Sequence, residues 1–154
     1  MKRPTVGWLR VAGCVGVGLA LAGCGGGPPG VWRDAENRTW RLAAMPGAGP
    51  LVPPAPTLEL SGDGRAVGST GVNRWFAPYR ADAAGDGSLT FGSAGVTRMA
   101  AASADLATQE IRYLDALSRT DGYRLRGQRL KLRSDRRTVL VFETDKPDDT
   151  TGGR

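Results

Sequence analysis

Histidine is absent from all 154 residues, and cysteine occurs only at positions 14 and 24. Without an imidazole, Ser-His-Asp and Cys-His arrangements have no base, and the ordinary zinc sites lose a main ligand type. Ser-Lys chemistry would rest on Lys131 or Lys146, both expected at the surface. The carboxylates Asp63 and Asp86 stand in glycine turns, where such residues shape backbone. No constellation converges, so no catalytic residue, metal or cofactor is expected and the chain reads as a non-enzyme. A long apolar run is also missing: Val11 to Ala22 offers twelve residues that are apolar or glycine, too few for a permanent transmembrane helix.

What that run does offer is a leader. Met1 to Arg10 carries Lys2, Arg3 and Arg10 with no acid, the apolar run follows, and "LAGC", Leu21 to Cys24, closes it. This ending resembles the lipobox of bacterial lipoproteins, in which a diacylglyceryl group joins the cysteine and the leader is cut just before it. The alternative is an ordinary secretory signal with a chance cysteine. The resemblance implies a signal peptide over 1–23, lipidation at Cys24 and a stable acyl anchor needing no transmembrane helix. Gly25 stands where an aspartate holds enteric lipoproteins at the inner membrane, so the expected place is the outer membrane, facing the periplasm. Cys14 leaves with the leader and Cys24 is acylated, which leaves the folded part without a thiol or disulfide. Losing Lys2, Arg3 and Arg10 also lowers the charge from +6 to +3, with 18 basic and 15 acidic side chains remaining. Nucleic acid is not expected as a partner, because it requires a basic face and access to the cytoplasm.

After Cys24, "GGGPPG" begins a flexible tether read over 24–36. "NRTWRLAAM" from Asn37 alternates as a first strand, and the five prolines of Pro46 to Pro56 then enforce a long surface loop. "TLELSGDGRAV" predicts a hairpin about a Gly62-Asp63-Gly64 turn, with the returning strand running on, bent, through "GSTGVNRWF". Short strands are read at "RWFAPYRAD", "SLTFG" and "VTRM". From Ser103 to Arg119 the period changes to 3.6 and predicts the one helix, capped by Ser103 or nearby. Leu106, Ala107, Ile111, Tyr113, Leu114 and Leu117 fill an arc of roughly 160°, with Asp105, Gln109, Arg112, Asp115 and Arg119 opposite. Glu110 lies inside the apolar arc. "YRLRGQRLKLRS" and "TVLVFE" read as the last strands, and 145–154 as a frayed tail. The sum is an α+β fold: seven or eight short strands curled into a cracked antiparallel β-barrel, with one interrupting α-helix.

The order "TWRL", "TLELSGDGRAVGSTGVNRWFAPY", "LTFGSAGVTRMA", "ATQEIRYLDAL", "YRLRGQRLKL" and "VLVFE" resembles the META domain of heat-inducible HslJ-type lipoproteins, here over 37–144. Its signature residues are Gly68, Gly71, Asn73, Arg74 and Trp75 in the first segment and Thr97, Arg98 and Met99 in the second. The resemblance implies a cracked barrel with a helix in its gap, and a non-catalytic interaction module linked to envelope stress or drug tolerance. A lipid- or peptide-binding carrier resembling secretin pilot lipoproteins is the alternative. In either case the partners are the membrane, through the anchor, and an unidentified envelope protein or lipid. The family commonly has cysteine where this chain has Val72 and Ala100, which implies that these two positions face one another.

A phosphate loop needs a lysine in place and a following helix. "GSTGVNRW" has neither, so Gly68 and Gly71 are read as bending a strand where the barrel closes, with Asn73 bonding backbone there. Arg74 and Arg98 could form a cationic ligand pair, but one of them is better read as neutralising Glu110, since a carboxylate on an apolar arc needs a partner. Arg124, Arg126, Arg129, Lys131 and Arg133 are read as the solvated outer face of a hairpin, with an anionic surface as the alternative.

Overall fold

The computed structural model of the chain describes residues 32–82 and 87–144. The expected leader, the expected lipidation at Cys24, the first part of the expected tether and the tail after Thr144 lie outside the described residues.

Alternation of apolar and polar residues sets nine strands: β1 (Thr39–Ala44), β2 (Thr57–Ser61), β3 (Arg65–Ser69), β4 (Arg74–Ala81), β5 (Leu89–Phe91), β6 (Gly95–Val96), β7 (Gly122–Arg126), β8 (Arg129–Ser134) and β9 (Arg137–Glu143). The helix α1 (Ala104–Ser118) separates β6 from β7. All form one sheet in the order β5-β4-β3-β2-β1-β9-β8-β7, with β6 paired beside β5 on β4. Each pairing is antiparallel, as short connections allow. In β4 the alternation is complete, burying Trp75, Ala77 and Tyr79 while Arg74, Phe76, Pro78 and Arg80 face out.

The fold is α+β, as the sequence implies, but the sheet is not closed into a barrel. Its edge strands β5 and β7 meet at an isolated bridge between Ser88 and Gly122. Flanking it, Tyr123 donates its N–H to Gly87 O at 3.0 Å and Leu89 to Asp121 O at 3.3 Å. β5 has three residues, too few to carry a closing ladder. Among the described residues the strands number nine, because "GV" at 95–96 forms its own short piece on β4.

The concave side is filled by Trp40, Trp75, Tyr113, Tyr123 and Phe142 with Leu58, Leu60, Leu89, Leu130, Leu132 and Leu140, all at 2% exposure or less. Burying each such side chain contributes about 1.5–3 kcal/mol before the entropy of ordering is set against it. The folded unit also starts earlier than the tether reading over 24–36 places it. Trp32 and Ala35 are buried in a turn ahead of β1. The Trp32 ring packs 4.6 Å from Tyr123 and 5.7 Å from Tyr79, and Ala35 O accepts the Trp40 Nε1 hydrogen at 2.8 Å.

Helix α1 begins where its cap predicts: Ser103 Oγ accepts from Leu106 N at 3.2 Å. Its buried stripe is Leu106, Gln109, Tyr113, Ala116 and Leu117, rotated from the expected arc. Ile111, assigned to the core by periodicity, is 69% exposed, whereas Gln109, assigned to solvent, is 5% exposed. The cause is the proline loop after β1, which lies over that side of the helix and needs a polar contact there.

Candidate functional site

The segment 70–73 is a hairpin turn between β3 and β4. Ser69 pairs with Arg74, so the chain reverses over four residues instead of running on as a bent strand. Gly71 has φ +93, and a Cβ there would lie 2.5 Å from Pro54 O. Only glycine fits this left-handed position under the proline loop. Gly68 has a different reason, since a Cβ would stand 2.0 Å from Thr57 O and 2.9 Å from Trp75 Nε1. It admits the backbone of β2 and the Trp75 indole side by side.

The turn delivers two polar side chains to the end of the core beside α1. Thr70 is fully buried; its hydroxyl donates to Glu110 Oε1 at 2.7 Å and accepts from Asn73 N at 2.8 Å and Val72 N at 3.2 Å. Asn73, 5% exposed, donates from Nδ2 to Glu110 Oε1 at 3.0 Å and to Met99 O at 3.2 Å. Its Oδ1 accepts from Met99 N at 2.7 Å and from Thr97 Oγ1 at 3.0 Å. Thr97 Oγ1 in turn accepts from Arg74 N at 3.0 Å. An amide has two donors and one oxygen with two lone pairs, so Asn73 is saturated. The junction ties three pieces of chain together: the β3–β4 turn, the segment after β6, and α1.

Of the sequence-predicted residues, the structure brings together Asn73, Thr97, Met99 and Glu110. Asn73 does bond backbone, but that of Met99, 26 residues away, and not its own bend. This joins the two segments that carry Val72 and Ala100, each one residue outside the clamped pair. Trp75 belongs to the core, its ring edge-on to Tyr113 at 6.0 Å and Phe91 at 6.3 Å. The expected cation for Glu110 is replaced. Arg74 and Arg98 are exposed, and the carboxylate is held by the neutral donors Thr70 and Asn73. A half-buried carboxylate with two such donors is satisfied without desolvating a guanidinium as well.

Two residues escaped the sequence reading. Thr70 looked like one small residue in a glycine run. Gln109 looked solvated, yet its Oε1 accepts from Val52 N at 2.8 Å and its Nε2 donates to Val52 O at 2.9 Å, copying a strand partner for the proline loop. The signal that could have found it is positional: Gln109 lies three residues after Leu106 and four before Tyr113, on their face of the helix. Nearby, burial holds the Tyr113 hydroxyl well above the usual tyrosine range, and its proton goes to Thr57 O at 3.0 Å.

Beside the junction an open groove of about 600 Å³ is lined by Val96, Arg98, Met99, Glu110, Ile111 and Leu114. Met99 is 67% exposed. Among the described residues no group of three or more His, Cys, Asp or Glu is placed to hold a metal ion, and no helix is long and apolar enough to cross a membrane.

A nine-stranded antiparallel sheet curled against one helix, latched by a turn of the form G-x-x-G-x-N-R-W, defines a small α+β domain class. The META domain family model matches residues 33–147, and the chain belongs to the META domain family. It is similar to a solved structure described as an NMR structure of the protein from Burkholderia xenovorans. That likeness is 27% identity over 96% of this chain and 99% of that one, with a TM-score of 0.60. A second NMR structure is similar in fold at 20% identity, covering 73% of this chain and 92% of that one, with a TM-score of 0.56. No curated protein matches the chain.

Proposed function

We propose that the protein is a non-catalytic interaction module of the bacterial cell envelope, held by acyl chains on Cys24 at the outer membrane, facing the periplasm, and serving tolerance of envelope stress or drugs. The observation that carries this reading is the saturation of the signature. Asn73, Thr97 and Met99 of the signature spend hydrogen bonds on one another, and Asn73 joins Thr70 on Glu110, so these residues build structure instead of awaiting a substrate. What stays exposed beside them is the apolar pair Met99 and Ile111, flanked by the cations Arg74 and Arg98, a surface suited to contact. The carrier alternative needs an apolar cavity between helix and sheet. That space is occupied by Trp75, Tyr113 and Phe142, which favours a scaffold.

Complementation of a deletion strain under heat or antibiotic stress tests the reading. Labelled palmitate should enter the parent chain and not Cys24→Ser, and rescue should be lost in Cys24→Ser and in Met99→Asp/Ile111→Asp, the latter with unchanged Tm. Rescue by both variants sinks the proposal.

A further inference from the structure

Strand β6 pairs with β4 on one side and, among the described residues, with no strand on the other. Thr97 donates its N–H to Arg74 O at 2.9 Å, and Val96 stands opposite Trp75. Main-chain groups alternate in direction along an antiparallel ladder, so the N–H and C=O of Val96 point away from β4, towards the open side. Neither has a hydrogen-bond partner among the described residues. Open edges are commonly guarded by a charge or a proline, and Ala94-Gly95-Val96-Thr97 has neither. Apolar surface flanks this edge on both faces of the sheet. On the inner face Val96 lines the groove with Met99, Ile111 and Leu114. On the outer face the Phe76 ring, 62% exposed, lies across Gly95, where a Cβ would stand 2.3 Å from Phe76 Cζ.

From this we infer that the groove between β6 and α1 takes an extended peptide segment of a partner protein, added to the sheet as a strand beside β6. Free main-chain groups call for main-chain groups, and the period of two sends alternate side chains to the two apolar surfaces. The side chain facing Val96 is therefore apolar. Charge sets the next one on that face: Arg98, two residues on from Val96, also lines the groove, is exposed, and has no ion pair or hydrogen bond among the described residues. Glu110 beside it is already engaged by Thr70 and Asn73. The partner segment thus carries an acidic residue two places from its apolar one, about 7 Å along the strand. A second copy of this chain is a poorer occupant. Pairing β6 with itself about Val96 sets Arg98 opposite Ala94, which leaves the cation without a carboxylate. The inference rests on the reading of the protein as an interaction module and names the form of its partner.

The test titrates the chain from Gly25 onward, which contains every described element, into a dye-labelled peptide Thr-Glu-Thr-Val-Thr-Glu-Thr and follows fluorescence anisotropy. Its glutamates flank the valine symmetrically, so either chain direction sets one against Arg98. Saturable binding is expected, and N-methylation of the valine, which removes its main-chain donor, should abolish it. Val96→Pro removes the outward N–H, keeps an apolar side chain and breaks no bond to β4. It should weaken binding roughly fivefold at unchanged Tm. Arg98→Glu should weaken it roughly tenfold and favour a peptide with lysine in place of glutamate. Absence of binding to the parent, binding that survives N-methylation, or Val96→Pro binding like its parent overturns the inference. So does a dimer in sedimentation equilibrium that Val96→Pro dissolves, since a second copy then holds the edge. Rescue of stressed cells by Val96→Pro, beside its loss in Met99→Asp/Ile111→Asp, sinks strand addition alone and leaves the interaction module standing.

Discussion

Single residues carry the fold's polar decisions, and they differ in how visible they are in the sequence. Gly71 announced a special backbone position through its type, and the left-handed φ under Pro54 supplies the reason. Asn73 announced a backbone contact, though not its distant partner. Thr70 announced nothing, because its role comes from Glu110, 40 positions away on another element. Tyr79 shows the same dependence on distant groups: its one hydroxyl hydrogen is shared between Ser61 O at 2.8 Å and Glu36 Oε1 at 3.1 Å. Burial, then the nearby Glu36 charge and hydrogen bond, push its pKa from 10.0 up to about 12. A raised pKa means the folded state keeps a proton that the unfolded state releases. The contribution is complete below pH 10 and lost as pH rises from 10 towards 12. Tyr79→Phe should accordingly be less stable than the parent near neutrality, with the difference shrinking over that alkaline window. Thermal melts across pH that show a constant difference would contradict the assignment.

Elements were legible where their own periodicity decides them. Alternation marked Trp40 and Leu42, Leu58 and Leu60, and Leu130 and Leu132 as inward, and all are buried. The helix and its Ser103 cap follow equally from local chemistry. What periodicity could not supply is the neighbour. The proline loop packs on the side of α1 that carries Gln109 and Arg112, taking the amide clamp on Val52 and a hydrogen bond from Arg112 Nη1 to Ala48 O at 3.2 Å. That turns the helix so that Ile111 looks outward. Urea unfolding separates the two assignments. Ile111→Gln should stay within about 0.5 kcal/mol of the parent, as surface changes do. Gln109→Ala should cost about 1–3 kcal/mol by orphaning the backbone of Val52. The reverse order would restore the simple amphipathic arc.

At the scale of the molecule, the antiparallel α+β class was within reach of the sequence, because turns such as Gly62-Asp63-Gly64 and short alternating runs dictate hairpins, whereas the ninth strand, the two-residue β6, carries no alternation to mark it. Closure was not within reach either. Whether β5 and β7 join by a ladder or touch at one bridge depends on twist accumulated over the intervening strands, which no single segment encodes. Trp32 was equally out of reach: it stands among glycine, proline and charged residues, and the Tyr79 and Tyr123 rings of the distant strands β4 and β7 help make it core. The Thr70, Asn73 and Glu110 junction holds this open arrangement together where turn, loop and helix meet. Its most direct test is equilibrium urea unfolding of Asn73→Ala, followed by tryptophan fluorescence. Removing a buried amide that bonds Thr97, Met99 and Glu110 should lower the unfolding free energy by about 2–4 kcal/mol. A variant as stable as the parent, yet unable to rescue stressed cells, would make the signature a recognition site and contradict its assignment as a structural latch.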